Sequence, residues 1–281
     1  MTHIIAIATG KGGVGKTTLC SQLAHYLTRP STSKRATKPV RVLCIDCAEQ
    51  ASLSFLLLPE YDTYEDMNLE IEDQDGSYML LDGSDALPIP IKCNDTLDLI
   101  PTAMHDFRLS DCMGASNEDM TKARDKVQKI AKTRLYDYIL IDTGPGRGRV
   151  QYAAMLMADH VLCPIRLENH SASAVAPLIK NLEAIDISFD KQYNLLGIVP
   201  MSYGLRESSD SHYIAEQLEA AYGDYLFKNG LPTSKAIMAF HRQRESIWTI
   251  RNTQAVRANM EKLGKEFLSR LKQWEKENAR G

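Results

Sequence analysis

The nine residues GKGGVGKTT at positions 10–18 constrain this chain more than any other stretch. They directly follow an apolar run at residues 4–8 and fit the pattern G-x-x-x-x-G-K-[ST] of a phosphate-binding loop. Glycines in such a loop let consecutive backbone N–H groups converge on an anion without obstruction from Cβ atoms. A helix that begins near Lys16 would add the positive end of its dipole. The pattern therefore predicts a strand, a nucleotide-binding loop and a helix in succession, rather than an ordinary glycine-rich turn.

The side chains at the end of this loop have separate predicted roles. Lys16 would reach the β- and γ-phosphates, the Thr17 hydroxyl would ligate Mg²⁺, and Thr18 is placed for the α-phosphate. The backbone N–H groups that would surround the phosphates belong to Gly12, Gly13, Val14 and Gly15. A nucleotide with Mg²⁺ is therefore the predicted ligand.

Two further apolar runs, at residues 42–46 and 138–142, each end in an aspartate. Buried parallel strands have continuous apolar sequences, and ligands bind at their carboxyl ends. A carboxylate there can hold Mg²⁺ through its water shell, because Mg²⁺ keeps several waters and takes few direct protein ligands. Asp46 and Asp142 are therefore candidate metal ligands. For either residue alone the alternative is an aspartate that caps the next helix.

The loop at residues 11–18 resembles the deviant Walker A box K-G-G-x-G-K-[ST]-[ST] of the ParA/MinD family of dimeric ATPases. The runs at residues 42–46 and 136–146 follow in the family's order, and residues 136–146 are similar to its Walker B strand. The resemblance implies ATP as the nucleotide and a homodimer that closes around ATP. In that family the first lysine of the box crosses to the partner's ATP, so Lys11 is the implied signature lysine.

The resemblance also implies a set of site residues. The implied catalytic residues are Lys11, Lys16, Asp46, Glu49 and Asp142. The implied Mg²⁺ ligands are Thr17, Asp46 and Asp142. The implied nucleotide contacts are Lys11, residues 12–18 and Pro232.

One departure from the family bears on hydrolysis. The family usually continues its second strand with D-x-D-P-Q, whose second aspartate orients the attacking water, whereas this chain has DCAEQ at residues 46–50. Ala48 has no group that can hold water. Either Glu49, one position further and one methylene longer, reaches the γ-phosphate side, or hydrolysis is slow and stimulated by a partner. The expected activity is therefore weak ATP hydrolysis.

The alternation of strand and helix patterns predicts one α/β P-loop NTPase domain over residues 1–281, with a mostly parallel twisted sheet and helices on both faces. The expected strands are residues 4–9, 40–45, 97–100, 138–142, 161–165 and 195–199. Residues 59–95 would form an acidic linking segment, and residues 252–279 a C-terminal helix. No apolar run approaches the length of a membrane span, and the first strand leaves no room for a secretory signal. A cytoplasmic, nucleoid-associated protein is expected.

Six cysteines, at positions 20, 44, 47, 93, 112 and 163, are scattered through the predicted strands and helices. They do not frame a small secreted scaffold, so we interpret them as reduced packing thiols. Cys44 and Cys47 have C-x-x-C spacing, but a second thiol pair at zinc spacing is missing. No cysteine lies in a convincing cluster motif, which argues against an iron–sulfur carrier.

Charge is unevenly distributed along the chain. Residues 60–125 contain 17 acidic and 4 basic side chains, so the remainder of a chain of net charge −3 is basic. Such asymmetry indicates one face that is kept away from polyanions and another that can meet them. The alternative is that the acidic stretch is an ordinary solvated surface. The basic cluster Arg29, Lys34, Arg35, Lys38 and Arg41 is open to two interpretations, contact with DNA or a partner, and a flexible insertion.

The resemblance implies nonspecific DNA binding by the ATP dimer through basic residues of the C-terminal half. Residues 197–206 are similar to the family stretch that ends in a DNA-contacting arginine, here Arg206. Further candidates are Lys235, Arg242, Arg244 and Arg251. Isolated surface arginines are the alternative interpretation of these residues.

The predicted function is that of a ParA-like ATPase, which positions a plasmid, a chromosome or another cargo with a ParB-like partner or adaptor that stimulates hydrolysis. The alternative is a MinD-like regulator at a membrane surface, which would use a basic amphipathic C-terminal helix. Apolar residues do recur at helical spacing, at Met260, Leu263, Phe267, Leu271 and Trp274. Because the other face mixes lysines with glutamates, packing against the domain or a dimer partner is favoured over membrane binding.

Overall fold

The computed structural model describes residues 1–30, 38–71, 76–145, 148–167, 172–192, 194–201, 209–232 and 234–279. Within these ranges, seven strands form one sheet in the order β3-β4-β2-β5-β1-β6-β7. The strands are β1 His3–Ile7, β2 Val42–Cys47, β3 Ile91–Lys92, β4 Leu97–Ile100, β5 Tyr138–Thr143, β6 His160–Arg166 and β7 Asn194–Met201. All neighbours pair in parallel except β3, which is antiparallel to β4. The predicted α/β class and the mostly parallel sheet are confirmed.

Helices pack on both faces of this sheet. Those in the described part of the chain are α1 Lys16–Thr28, α2 Ser52–Leu57, α3 Tyr64–Glu70, α4 Phe107–Asp111, α5 Asn117–Lys132, α6 Arg149–Met157, α7 Ala172–Phe189, α8 Ser209–Tyr222, α9 Lys235–Gln243 and α10 Gln254–Asn278. Successive residues of β1 point to opposite faces, as the strand period requires. Ile4 packs in a core with α5, α6, α7 and α8, and Ile5 in a second core with α1, α2, α3, α9 and α10.

Each of the six expected strands overlaps one in the structure, with ends that differ by up to two residues. Strand β3 was not expected, because it has only two residues and follows a proline-rich segment. The acidic segment at residues 59–95 contains α3, a 3₁₀ turn at Ser77–Leu80 and β3.

The C-terminal helix α10 packs against its own domain. Met260, Leu263, Phe267 and Leu271 are buried in the core that also contains α1. Trp274, at the end of the same stripe, packs edge-on against His160 with ring centroids 4.6 Å apart. The apolar stripe of α10 is thus covered within the chain. Across the described ranges, no helix is both long and apolar enough to span a bilayer.

Because the central strands are parallel, the loops after β1, β2, β5 and β6 all leave the same edge of the sheet. The loop after β1 holds the predicted phosphate-binding residues, and the strand ends at Asp46 and Asp142 lie side by side in register. Ligands of open parallel sheets bind at this edge. It therefore positions the candidate site.

Candidate nucleotide-binding site

The phosphate-binding loop adopts the backbone conformation that its glycines permit. Gly13 and Gly15 have φ values of +70° and +98°, in the left-handed region that other residues rarely enter. Gly15 forms the N-cap of α1, which begins at Lys16, and as a glycine it has no side chain to cap the first N–H groups of the helix. Uncapped N–H groups at a helix N-terminus attract an anion, because the helix dipole is positive there. The local geometry is that of an anion site.

Beneath the loop, the side chains of Thr17 and Asp142 are in direct contact. The Thr17 hydroxyl donates a hydrogen bond of 2.6 Å to Oδ2 of Asp142. The other oxygen, Oδ1, is buried and has no hydrogen-bond partner among the described residues. Burial, and then the neighbouring Asp46 carboxylate, raise the pKa of Asp142 to about 8. A buried carboxylate oxygen without a hydrogen-bond partner destabilises the folded protein. A cation beside Oδ1 would therefore stabilise the site.

A hydroxyl and a carboxylate are the hard oxygen ligands that Mg²⁺ prefers. The residues at this position therefore fit the predicted metal. Lys16 provides a positive charge at the site. Its ammonium donates a hydrogen bond to the Lys11 carbonyl oxygen at 3.2 Å. Burial lowers the pKa of Lys16, and the nearby Asp142 acts in the opposite direction.

Asp46 is fully buried, and protein groups occupy both of its carboxylate oxygens. Oδ1 accepts from the Ala48 N–H at 3.1 Å, and Oδ2 accepts from the N–H and the hydroxyl of Ser54, both at 2.8 Å. Burial raises the pKa of Asp46 to about 6, although these hydrogen bonds act to lower it. The carboxylate thus anchors the segment between β2 and α2. This arrangement suits an outer-shell role toward a metal better than direct ligation.

Thr102, after β4, extends this buried network. Its N–H donates to the Ser54 hydroxyl at 2.9 Å, and its own hydroxyl donates to the Asp46 carbonyl oxygen at 2.5 Å. All three side chains are buried. The end of β2 is therefore fixed from two sides, by α2 and by the loop after β4.

The segments after β2 and β5 touch each other beside the site. A Cβ atom on Gly144 would lie 3.6 Å from the Ala48 Cα, which is ordinary van der Waals contact. Ala48 is buried, whereas Glu49 is exposed and its carbonyl oxygen accepts from the His105 N–H at 3.0 Å. A carboxylate in place of the Ala48 methyl would therefore enter the space between the two segments.

A cavity of about 660 Å³ lies over the phosphate-binding loop. Its lining includes residues 12–18, the predicted nucleotide contact Pro232, and groups from α2, α3 and α9. Lys11 is exposed and does not line this cavity. Its predicted contact is with the nucleotide of a second subunit, so that role stays a prediction.

Sequence reasoning missed several residues of this cavity. Among them are Phe55, Tyr64, Arg166, Met238 and His241. Arg166 ends β6 at the carboxyl edge of the sheet, so its position at a strand end was a usable signal. His241 lies on α9, far along the chain, and no local pattern marks it.

The candidate DNA-binding residues differ in exposure and in whether the structure describes them. Lys235, Arg242 and Arg251 are exposed, as a DNA contact requires. Arg206 and the basic residues at positions 34 and 35 lie outside the described residues. DNA binding by these side chains stays a prediction.

Arg244 is bound within its own chain. Its guanidinium donates to the carbonyl oxygens of Phe55, Pro59 and Tyr61, and it lies over the Phe55 ring at 4.2 Å. A guanidinium whose donors are used in this way ties α9 to the segment between α2 and α3. A DNA contact by Arg244 stays a prediction.

All six cysteines are free thiols, and five of them are buried. Burial raises the pKa of the Cys47 and Cys163 thiols well above the usual range, which keeps them protonated. Within the described ranges, no cluster of three or more His, Cys, Asp and Glu side chains is arranged to hold a metal ion. The thiols are placed as packing groups.

Comparison with known proteins assigns the chain to a family. The family model described as AAA domain, AAA_31, matches residues 2–195, a range that includes the phosphate-binding loop and both strands that end in aspartate. The chromosome-partitioning ATPase Soj of Thermus thermophilus is 28% identical over 230 residues, which cover 81% of this chain and 80% of that protein.

Two solved structures share the fold. An Asp-to-Ala variant of McdA from Cyanothece, in complex with ATP, matches with a TM-score of 0.77 at 19% identity, over 95% of this chain and 96% of that one. A putative plasmid partition protein from Borrelia burgdorferi B31, bound to AMPPNP, matches with a TM-score of 0.71 at 22% identity, over 96% and 99% of the two chains. The family model covers more than half of this chain, and Soj is one of the relatives. This chain therefore belongs to the AAA_31 family and is a ParA/MinD-type ATPase.

Proposed function

We propose that this chain is a ParA-like positioning ATPase that binds ATP with Mg²⁺ at the phosphate-binding loop. The observation that carries the proposal is the Thr17–Asp142 hydrogen bond of 2.6 Å beside the buried Lys16. Mg²⁺ held at Thr17 and Asp142 would neutralise charge on the phosphate oxygens. Solved relatives of the same fold hold ATP or AMPPNP, which agrees with this choice of ligand.

In this proposal two copies of the chain close face to face around bound ATP. The exposed position of Lys11, which does not line the cavity of its own subunit, suits a contact with the other subunit's nucleotide. Asp46 would act in the outer shell, since both of its oxygens hold the segment after β2. The γ-phosphate would then be sensed by the segments after β2 and β5, which touch at Ala48 and Gly144.

We further propose that the ATP-bound dimer binds DNA without sequence preference and that a ParB-like partner or another adaptor stimulates hydrolysis. Relatives named for chromosome and plasmid partition support a nucleoid-associated, cytoplasmic role. Exposed Lys235, Arg242 and Arg251 would contact phosphates from the C-terminal half. The MinD-like alternative needs a C-terminal helix with a free apolar stripe, whereas the stripe of α10 is buried against the domain.

A DNA gel shift with ADP, ATP and a nonhydrolysable ATP analogue, across a salt series, tests this function. We expect a shift with ATP and the analogue but not with ADP, and a steep loss of binding as salt rises, because phosphate contacts release counterions. Recovery with liposomes in the presence of ATP, together with no DNA shift, would instead establish the membrane-surface alternative.

Hydrolysis itself gives a separate prediction. Ala48→Asp should raise the basal ATPase rate by about 10-fold or more, because a carboxylate near the γ-phosphate side would orient the attacking water. Glu49→Gln is the companion variant. It should lower the basal ATPase rate if Glu49 orients the attacking water in this chain. Steady-state phosphate release measures both variants. A rate for Ala48→Asp that is unchanged or lower would mean that the water is oriented elsewhere.

A further inference from the structure

Helix α9 forms one wall of the nucleotide cavity. Ser234, Ile237, Met238 and His241 all line the cavity that contains the phosphate-binding loop. Their spacing of three, four and seven residues places them on one face of the helix. The exposed cations Lys235 and Arg242 alternate with them along the chain. One face of α9 is thus turned toward the cavity over the phosphate-binding loop.

The contact that defines this wall joins His241 to the phosphate-binding loop. Nε2 of His241 lies 2.8 Å from the Thr18 hydroxyl oxygen. Thr18 is the residue predicted to contact the α-phosphate, so a phosphate held there would lie beside the imidazole. Nε2 can donate or accept according to the tautomer, and it can therefore turn from the hydroxyl to a phosphate oxygen.

Both ends of α9 are fixed, which positions the imidazole. At the N-terminus, the Ser234 hydroxyl accepts from the Ile237 N–H at 3.2 Å. At the C-terminus, Arg244 adopts a left-handed conformation with φ of +54° and donates hydrogen bonds to carbonyl oxygens of α2 and of the segment that follows it. Its guanidinium lies over Phe55, whose ring stacks on Tyr64 at 4.1 Å. A side chain on a helix held in this way loses little conformational freedom when it binds a nucleotide.

We propose that His241 is a nucleotide ligand, which donates a hydrogen bond from Nε2 to the α-phosphate from outside the phosphate-binding loop. The proposal rests on the nucleotide occupying the loop as in the proposed function. It does not depend on dimerisation, DNA binding or hydrolysis. Thr18 and His241 would then hold one phosphate from two elements that are 223 residues apart in sequence.

The test measures nucleotide binding by isothermal titration calorimetry with ATP, ADP and the two diastereomers of ATP that carry sulfur on the α-phosphorus, all with Mg²⁺. H241A should weaken ATP and ADP about equally, by about 10-fold for one lost charge-assisted hydrogen bond. Sulfur is a poor acceptor, so in the parent protein one diastereomer should bind less tightly than the other. That preference should shrink in H241A, and H241Q should restore part of the affinity, because its amide nitrogen can take the place of Nε2.

Q243A is the matched control, since Gln243 is exposed on the same helix and does not line the cavity. It should bind ATP as the parent does. H241A should unfold at the parent's temperature without nucleotide, because the ring is exposed.

Two results would overturn the inference while the proposed function stands. One is an H241A protein that binds ATP as tightly as the parent. The other is an H241A protein that loses affinity but keeps the parent's preference between diastereomers, which would mean that the imidazole only supports Thr18. A parent protein that binds no ATP would end both this inference and the proposed function.

Discussion

Lys16→Ala is expected to abolish ATP binding at micromolar concentrations. Lys16 is only 6% exposed and lines the cavity, and its ammonium is the group predicted to reach the β- and γ-phosphates. Losing two charge-assisted hydrogen bonds to phosphate oxygens should raise the Kd by about 100-fold or more. Titration calorimetry with ATP and Mg²⁺ measures this change directly.

The control for this variant is the other lysine of the loop. Lys11→Ala removes a positive charge a few residues away, so it separates a general loss of charge from loss of the phosphate contact. Thermal unfolding without nucleotide checks that each variant is folded. A Lys16→Ala protein that binds ATP within about threefold of the parent, a difference of less than about 1 kcal/mol, would place the nucleotide somewhere else.

Lys11→Ala is expected to separate nucleotide binding from dimerisation. The Lys11 side chain is exposed and does not line the cavity of its own subunit, so ATP binding by the monomer should largely survive. The ATP-dependent dimer should be lost, because each subunit would no longer place a cation on its partner's triphosphate. DNA binding should fail with it. Light scattering after gel filtration, with ATP and Mg²⁺, measures the dimer, and titration calorimetry measures ATP binding.

Lys272→Ala is a suitable comparison for the Lys11 variant, because Lys272 is an exposed lysine on α10, outside the nucleotide site. It should dimerise as the parent does. A Lys11→Ala protein that still forms the dimer with ATP would contradict the role of Lys11 across the interface, while leaving the ATP site itself intact.

Local patterns predicted the parts of this protein in which neighbouring residues share one role. The loop at residues 10–18 contains its own glycines, lysine and threonines, and each buried parallel strand is a continuous apolar run. The fold class and the ends of β2 and β5 could therefore be predicted. Strand β3 could not be predicted, because two residues are too few to show an alternating pattern and its pairing with β4 depends on the tertiary fold.

Contacts between distant elements account for what the sequence did not reveal. Arg244 was predicted to be a surface cation, but its guanidinium meets three carbonyl oxygens of a segment nearly two hundred residues away. His241 meets Thr18 in the same way. The aspartate at the end of β2 was foreseen as part of the site. Its use as an anchor for Ser54 and the Ala48 N–H depends on the course of the chain after the strand.

The central claim is that ATP brings two copies of this chain together. Light scattering on the parent protein, with saturating ATP and Mg²⁺ and again with ADP, tests it most directly. The account predicts a mass near twice the 31.5 kDa of one chain with ATP, and a single chain with ADP. A single-chain mass with ATP, in a sample that calorimetry shows to be saturated with nucleotide, would contradict it.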